Sequence, residues 1–103
     1  MDGSLFSQKH YISWKNNTGS SVKVKITIKN RRYNTSNTES GSGCGMYVNT
    51  GGDYKYSDGK VLDVEGASSW TTKTVTTTIK NGYGLYCENQ NNANSYITVE
   101  IIK

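Results

Sequence analysis

From Val22 to Ile28 the chain alternates strictly: Val22, Val24, Ile26 and Ile28 are apolar, and Lys23, Lys25 and Thr27 are polar. A period of two puts the apolar set on one face of a β-strand and the polar set on the other. Such a strand hides one face and wets the other, as antiparallel sheets commonly do. The same pattern returns at Tyr96–Ile102, where Ile97, Val99 and Ile101 share a face opposite Tyr96, Thr98 and Glu100. No window places apolar residues at i, i+3, i+4 and i+7 for three turns, so almost no helix is expected. Ser, Thr, Asn and Gly make up close to half of the 103 residues and Pro is absent. Those residues favour turns and wet strand positions over helix interiors.

Further strand-length runs follow at regular spacing. His10–Trp14, Cys44–Val48, Val61–Val64, Trp70–Ile79 and Tyr83–Cys87 read as strands, with Tyr54–Tyr56 a short candidate. Cys44, Met46 and Val48 share a face, and Val75, Thr77 and Ile79 point inward. Turn signals separate the runs: Asn16-Asn17-Thr18-Gly19, Thr50-Gly51-Gly52-Asp53, Ser57-Asp58-Gly59 and Lys80-Asn81-Gly82. Asn-Gly is the strongest short hairpin signal. The stretch Asn89–Asn94 is too polar to bury on this reading, and it makes Tyr83–Lys103 a closing hairpin. Asn34–Gly43 has no apolar residue and is expected to be a long exposed loop. The fold class expected is all-β: a single-domain antiparallel β-sandwich of seven or eight strands, Greek-key or jelly-roll-like, with a small closed barrel as the alternative. Residues 1–7 are expected to be a loose leader and 8–103 the domain.

Asn16-Asn17-Thr18-Gly19-Ser20-Ser21-Val22-Lys23-Val24 and Asn91-Asn92-Ala93-Asn94-Ser95-Tyr96-Ile97-Thr98-Val99 share the pattern Asn-Asn-x-x-Ser before a strand. Polar turns feeding strands explain it, as would a duplicated Greek key. The first copy resembles the calcium-binding turn of βγ-crystallins over about nine residues. The aromatic-and-glycine pattern that precedes that turn in the family is missing here, and Tyr96 stands where a second Ser belongs. The resemblance assigns no family.

The chemistry-bearing residues exclude more than they include. His10 is the only histidine, and the eight acids form no pair with the setting of a catalytic dyad. There is no nucleophile elbow and no phosphate loop. A non-catalytic protein is the expectation. Two cysteines cannot hold structural zinc alone. Cys44 and Cys87, an even count in a small β chain, are expected to form a disulfide stapling the two halves of the core, and so to indicate an extracellular site. Asp53 and Asp58, with Asp63 and Glu65 on Gly-rich turns, could offer oxygen ligands to calcium; no other cofactor is expected. No stretch reaches transmembrane length, and Met1-Asp2-Gly3-Ser4 carries no visible export signal.

The net charge of +4 mainly favours solubility. Lys23 and Lys25, on the wet face of one strand, with Arg31-Arg32 beyond its end, form a stripe that could hold an acidic polymer or an anionic surface. Exposed tyrosines stack on sugars and anchor interfaces. The expected ligand-binding set is therefore Tyr54, Tyr56, Tyr86, Tyr96, Lys23, Lys25, Arg31 and Arg32, and the expected function a small secreted domain binding a cell-surface glycan or protein. Nucleic acid is not expected. A secreted toxin or antimicrobial acting on anionic membranes, and an inhibitor working through the 34–43 loop, are the alternatives. Trp14 and Trp70 are assigned as readily to the core as to a surface.

Overall fold

A computed structural model describes residues 4–7, 11–37, 39–50 and 59–102, with the backbone alone for 4–7, 11 and 12. Its strands are β1 (Ser4–Ser7), β2 (Tyr11–Lys15), β3 (Val22–Arg32), β4 (Cys44–Asn49), β5 (Lys60–Val64), β6 (Thr71–Ile79), β7 (Gly84–Asn89) and β8 (Ala93–Ile102). They form two four-stranded antiparallel sheets, β1-β8-β3-β6 (sheet A) and β2-β7-β4-β5 (sheet B). Four of the six hydrogen-bonded pairs, β1·β8, β2·β7, β3·β6 and β4·β5, join strands whose numbers sum to nine. This is the wrapped arrangement of a jelly roll. The molecule is a β-sandwich, and the described strands close no barrel.

The alternation of β3 fixes the register. Val24, Ile26 and Ile28 are fully buried, and Lys23, Lys25 and Lys29 are exposed. A slip of one residue would exchange the two sets, which no partner strand could tolerate. Ile97 and Val99 of β8 and Ile79 of β6 complete the inner face of sheet A, against Cys44, Met46, Val64, Leu85 and Cys87 of sheet B. Each fully buried aliphatic side chain contributes roughly 1.5–3 kcal/mol relative to exposure.

Three expectations are corrected here. Tyr83–Lys103 is not a hairpin: β7 lies in sheet B and β8 in sheet A, so the connection crosses the sandwich. The Asn81-Gly82 turn likewise carries the chain from sheet A to sheet B. Turn residues reverse the chain equally well within a sheet or across two, and here burying each strand's apolar face favoured the crossing. The polar turn is not too polar to bury either. Asn89 and Asn92 are buried because their amides find partners. Asn92 Nδ2 donates to the carbonyls of Asn34 (3.0 Å) and Asn37 (2.6 Å), and its Oδ1 accepts from Asn34 N (2.8 Å). Finally, Ser4–Ser7 is not loose leader; it pairs with Asn94–Ile97 as the edge of sheet A.

The internal similarity does not carry equivalent roles. Asn16 is fully buried, and its Nδ2 donates to Ser20 O and Ile79 O, both at 2.9 Å. In the second copy the aligned Asn91 is exposed and its neighbour Asn92 is buried. The two turns are anchored one residue out of step.

Candidate functional site

The outer face of sheet A is built by parity. On β3 it carries Lys23, Lys25, Thr27, Lys29 and Arg31; on β6 Thr72, Thr74, Thr76 and Thr78; on β8 Tyr96, Thr98 and Glu100. Register sets Lys29 between Tyr96 and Thr72, and Thr27 between Thr98 and Thr74. Trp70 immediately precedes β6 and continues this outer set. An open recess of about 370 Å³ lies at that end of the face, lined by Thr27, Lys29, Trp70, Thr72, Tyr96 and Thr98.

Two cations address the indole. The Arg31 guanidinium carbon lies 4.5 Å from the Trp70 ring centroid and Lys29 Nζ lies 5.2 Å from it. Each such contact is worth about 0.5–1 kcal/mol at an exposed site. They hold the ring at the sheet surface. Tyr96, 43% exposed, supplies a second aromatic wall, and three threonine hydroxyls offer both donors and acceptors. The arrangement suits a ligand with a flat apolar face and many hydroxyl groups.

The expected site residues fare unequally. Lys23, Lys25, Arg31 and Tyr96 all belong to this face. Arg32 sits half-buried with the opposite parity, its Nε buried without a hydrogen-bond partner among the described residues. Tyr86 faces outward from sheet B as expected, yet it is only 5% exposed, and its hydroxyl donates to Glu88 Oε2 at 3.0 Å. It offers little area to a ligand. Tyr54, Tyr56, Asp53, Asp58 and His10 lie outside the described residues. Trp70 was missed as a site residue. The signal was present: counting back from buried Ile79 by twos reaches Thr71, which leaves Trp70 on the wet face.

Sheet B presents a different outer surface. A polar recess of about 220 Å³ is lined by Gly43, Gly45, Tyr47, Lys60, Asp63, Glu65, Glu88 and Gln90. Gly45 lets the Tyr47 ring lie against the strand, since a Cβ there would meet the phenol oxygen at 2.8 Å. Lys60 pairs with Asp63 at 3.2 Å, a surface contact of small energetic value. Among the described residues no three His, Cys, Asp or Glu side chains are grouped to hold a metal ion, and no helix is long and apolar enough to cross a membrane.

The disulfide expectation is also corrected. Cys44 and Cys87 are free thiols with sulfurs 3.7 Å apart, both buried. They do not face each other across the core. Cys44 is opposite Asn89 and Cys87 opposite Met46, so the thiols are diagonal neighbours on adjacent strands of one sheet. A bond between them would not join the two sheets. The hydrogen bond to Cys44 and burial push the Cys87 thiol up from its ordinary value.

The 34–43 loop is exposed from Asn34 to Asn37 and turns inward at Ser42 and Gly43. Asn92 holds its start. At its end Gln90 holds Gly43 by two contacts, Gly43 N to Gln90 Oε1 (2.7 Å) and Gln90 N to Gly43 O (2.9 Å).

No protein-family model matches the chain, and no curated protein does. Among solved structures, the C-terminal CBM6 of LamC, a marine laminarinase from Zobellia galactanivorans, is similar with a TM-score of 0.49 and 14% identity, over 90% of this chain and 73% of that one. At that score and identity the likeness carries nothing about ligand or site.

Proposed function

We propose that this is a non-catalytic domain that binds a glycan on the outer face of sheet A, with Trp70 and Tyr96 as stacking surfaces. One observation carries the reading: two aromatic side chains and the hydroxyls of Thr27, Thr72 and Thr98 line a single open recess. Aromatic faces cover the C–H surface of a sugar at little entropic cost, and the hydroxyls match its polar rim. The extracellular location belongs to the same proposal, since the polymers that suit such a face lie outside cells.

The test is a glycan array followed by titration with the best ligand. Trp70→Ala and Tyr96→Ala should each weaken binding at least tenfold, about 1.4 kcal/mol or more. Tyr86→Phe should bind as the parent does. Full binding by both recess variants, with the fold intact by circular dichroism, would remove this face from consideration.

A further inference from the structure

The two outer faces differ in charge. Lys23, Lys25, Lys29 and Arg31 stand in single file along β3, and Glu100, opposite Lys25, is the only acid at the described outer positions of sheet A. Asp63, Glu65 and Glu88 are gathered instead around the recess of sheet B, with Lys60 the one cation in its lining. The sandwich thus places four cations with one acid on sheet A and three acids with one cation around the recess of sheet B. We infer that the ligand of sheet A is an acidic polysaccharide, carboxylated or sulfated, lying along β3 with one end in the Trp70–Tyr96 recess. This rests on the glycan reading above and adds the charge of the polymer.

Spacing favours that occupant over other polyanions. From Lys23 to Arg31 the strand advances eight residues, roughly 27 Å, which is about one cation per 9 Å. A helical nucleic-acid strand carries a phosphate about every 3.4 Å and would bring about eight charges to four cations. The flanking strands add no cations to the outer face. They add Thr72, Thr74, Thr76 and Thr78 on one side and Thr98 on the other, all neutral hydroxyls. A dilute line of cations between rows of hydroxyls fits a chain rich in hydroxyl groups with spaced acids. It fits an anionic lipid surface less well, since the aromatic residues line a recess and form no projecting wedge.

The experiment titrates the protein with polygalacturonate, hyaluronate and heparin, and with fully methyl-esterified polygalacturonate as the neutral counterpart of the first. Anionic vesicles and single-stranded DNA are run alongside. At least one acidic polysaccharide should bind, weakening at least tenfold between about 50 and about 300 mM salt. The ester should bind far more weakly than its acid. The triple variant Lys23→Gln, Lys25→Gln, Lys29→Gln should lose most acidic-polymer binding; these side chains are exposed, and its thermal melt checks the fold. The salt dependence of the parent protein decides the matter even if that variant misfolds. Equal binding of acid and ester with no salt dependence would overturn the inference and leave the glycan reading standing. Binding of neutral array glycans alone, abolished by Trp70→Ala, would do the same. Binding of vesicles or DNA with none of the three polysaccharides would overturn both.

Discussion

Asn30 occupies a position that the alternation of β3 reserves for an apolar residue. It follows Val24, Ile26 and Ile28 on the buried face and is itself fully buried. Its Nδ2 donates to Ser42 O (2.7 Å) and Val64 O (2.8 Å), and Ser95 Oγ donates to its Oδ1 (2.8 Å). One amide thus satisfies groups from sheet A, from sheet B and from the loop between them. Asn30→Ala should destabilise the protein by about 3 kcal/mol, because it orphans several buried polar groups at once. Thr74→Ala, on the wet face, should cost under about 0.5 kcal/mol; urea titration of both variants checks the contrast. The thiols make a second prediction at this scale. The folded chain holds the Cys87 proton more tightly than the unfolded chain does. Its stabilising contribution is therefore full below about pH 8.5, where an unfolded thiol ionises, and is lost as pH rises further. Denaturation between pH 7 and 9.5 should show stability falling by at most about 1.4 kcal/mol per pH unit above pH 8.5. Cys87→Ala should flatten that decline.

At the scale of elements, the connections decide the fold more than the strands do. Strands β6 to β7 and β7 to β8 are joined by short polar turns that a hairpin also uses, yet both turns cross between sheets. The crossing leaves backbone groups without a ladder partner, and asparagines, buried at Asn16 and exposed at Asn81, supply the replacements. Asn16 and Asn81 hold the β2–β3 and β6–β7 corners together through Ile79 O and Gly19 N. Gly82 turns one corner at φ +87, a region L-residues rarely adopt. A peptide of residues 83–102 should therefore show no cross-strand NOEs between the β7 and β8 segments in water. A stable hairpin there would contradict the topology. Gly84 tests close approach: a Cβ would run into the Trp14 carbonyl oxygen. Gly84→Ala should part β2 from β7 and cost more than about 2 kcal/mol, read from thermal melts.

For the whole molecule, the last strand is a central one. Strand β8 lies between β1 and β3, so sheet A is complete only once Ala93–Ile102 has joined it. Pairings this distant in sequence close large loops before any contact repays them, and folding should take milliseconds to seconds. A chain ending at residue 94 loses the middle of sheet A, together with Ile97 and Val99 of the core. It should be unfolded by circular dichroism at 25 °C. The same topology lays β3 alongside β6 and β8, and that juxtaposition gives the basic file its hydroxyl flanks.

The alternation alone determined the fold class, most strand positions, the inward set of β3, Ile97 and Val99 of β8, and the lack of helix among the described residues, because a period of two is a local property of the chain. It also held the parity that puts Trp70 on the wet face, although a lone tryptophan suits a core equally well until its strand has a partner. What only the tertiary structure decided was partnership. Whether a polar turn closes a hairpin or crosses a sandwich depends on which apolar faces meet, and those faces are contributed by residues far apart in sequence. Pairing across such distances put the two cysteines on adjacent strands of one sheet, buried asparagines of a turn expected to stay wet, and left most of the outer cations of sheet A in one file.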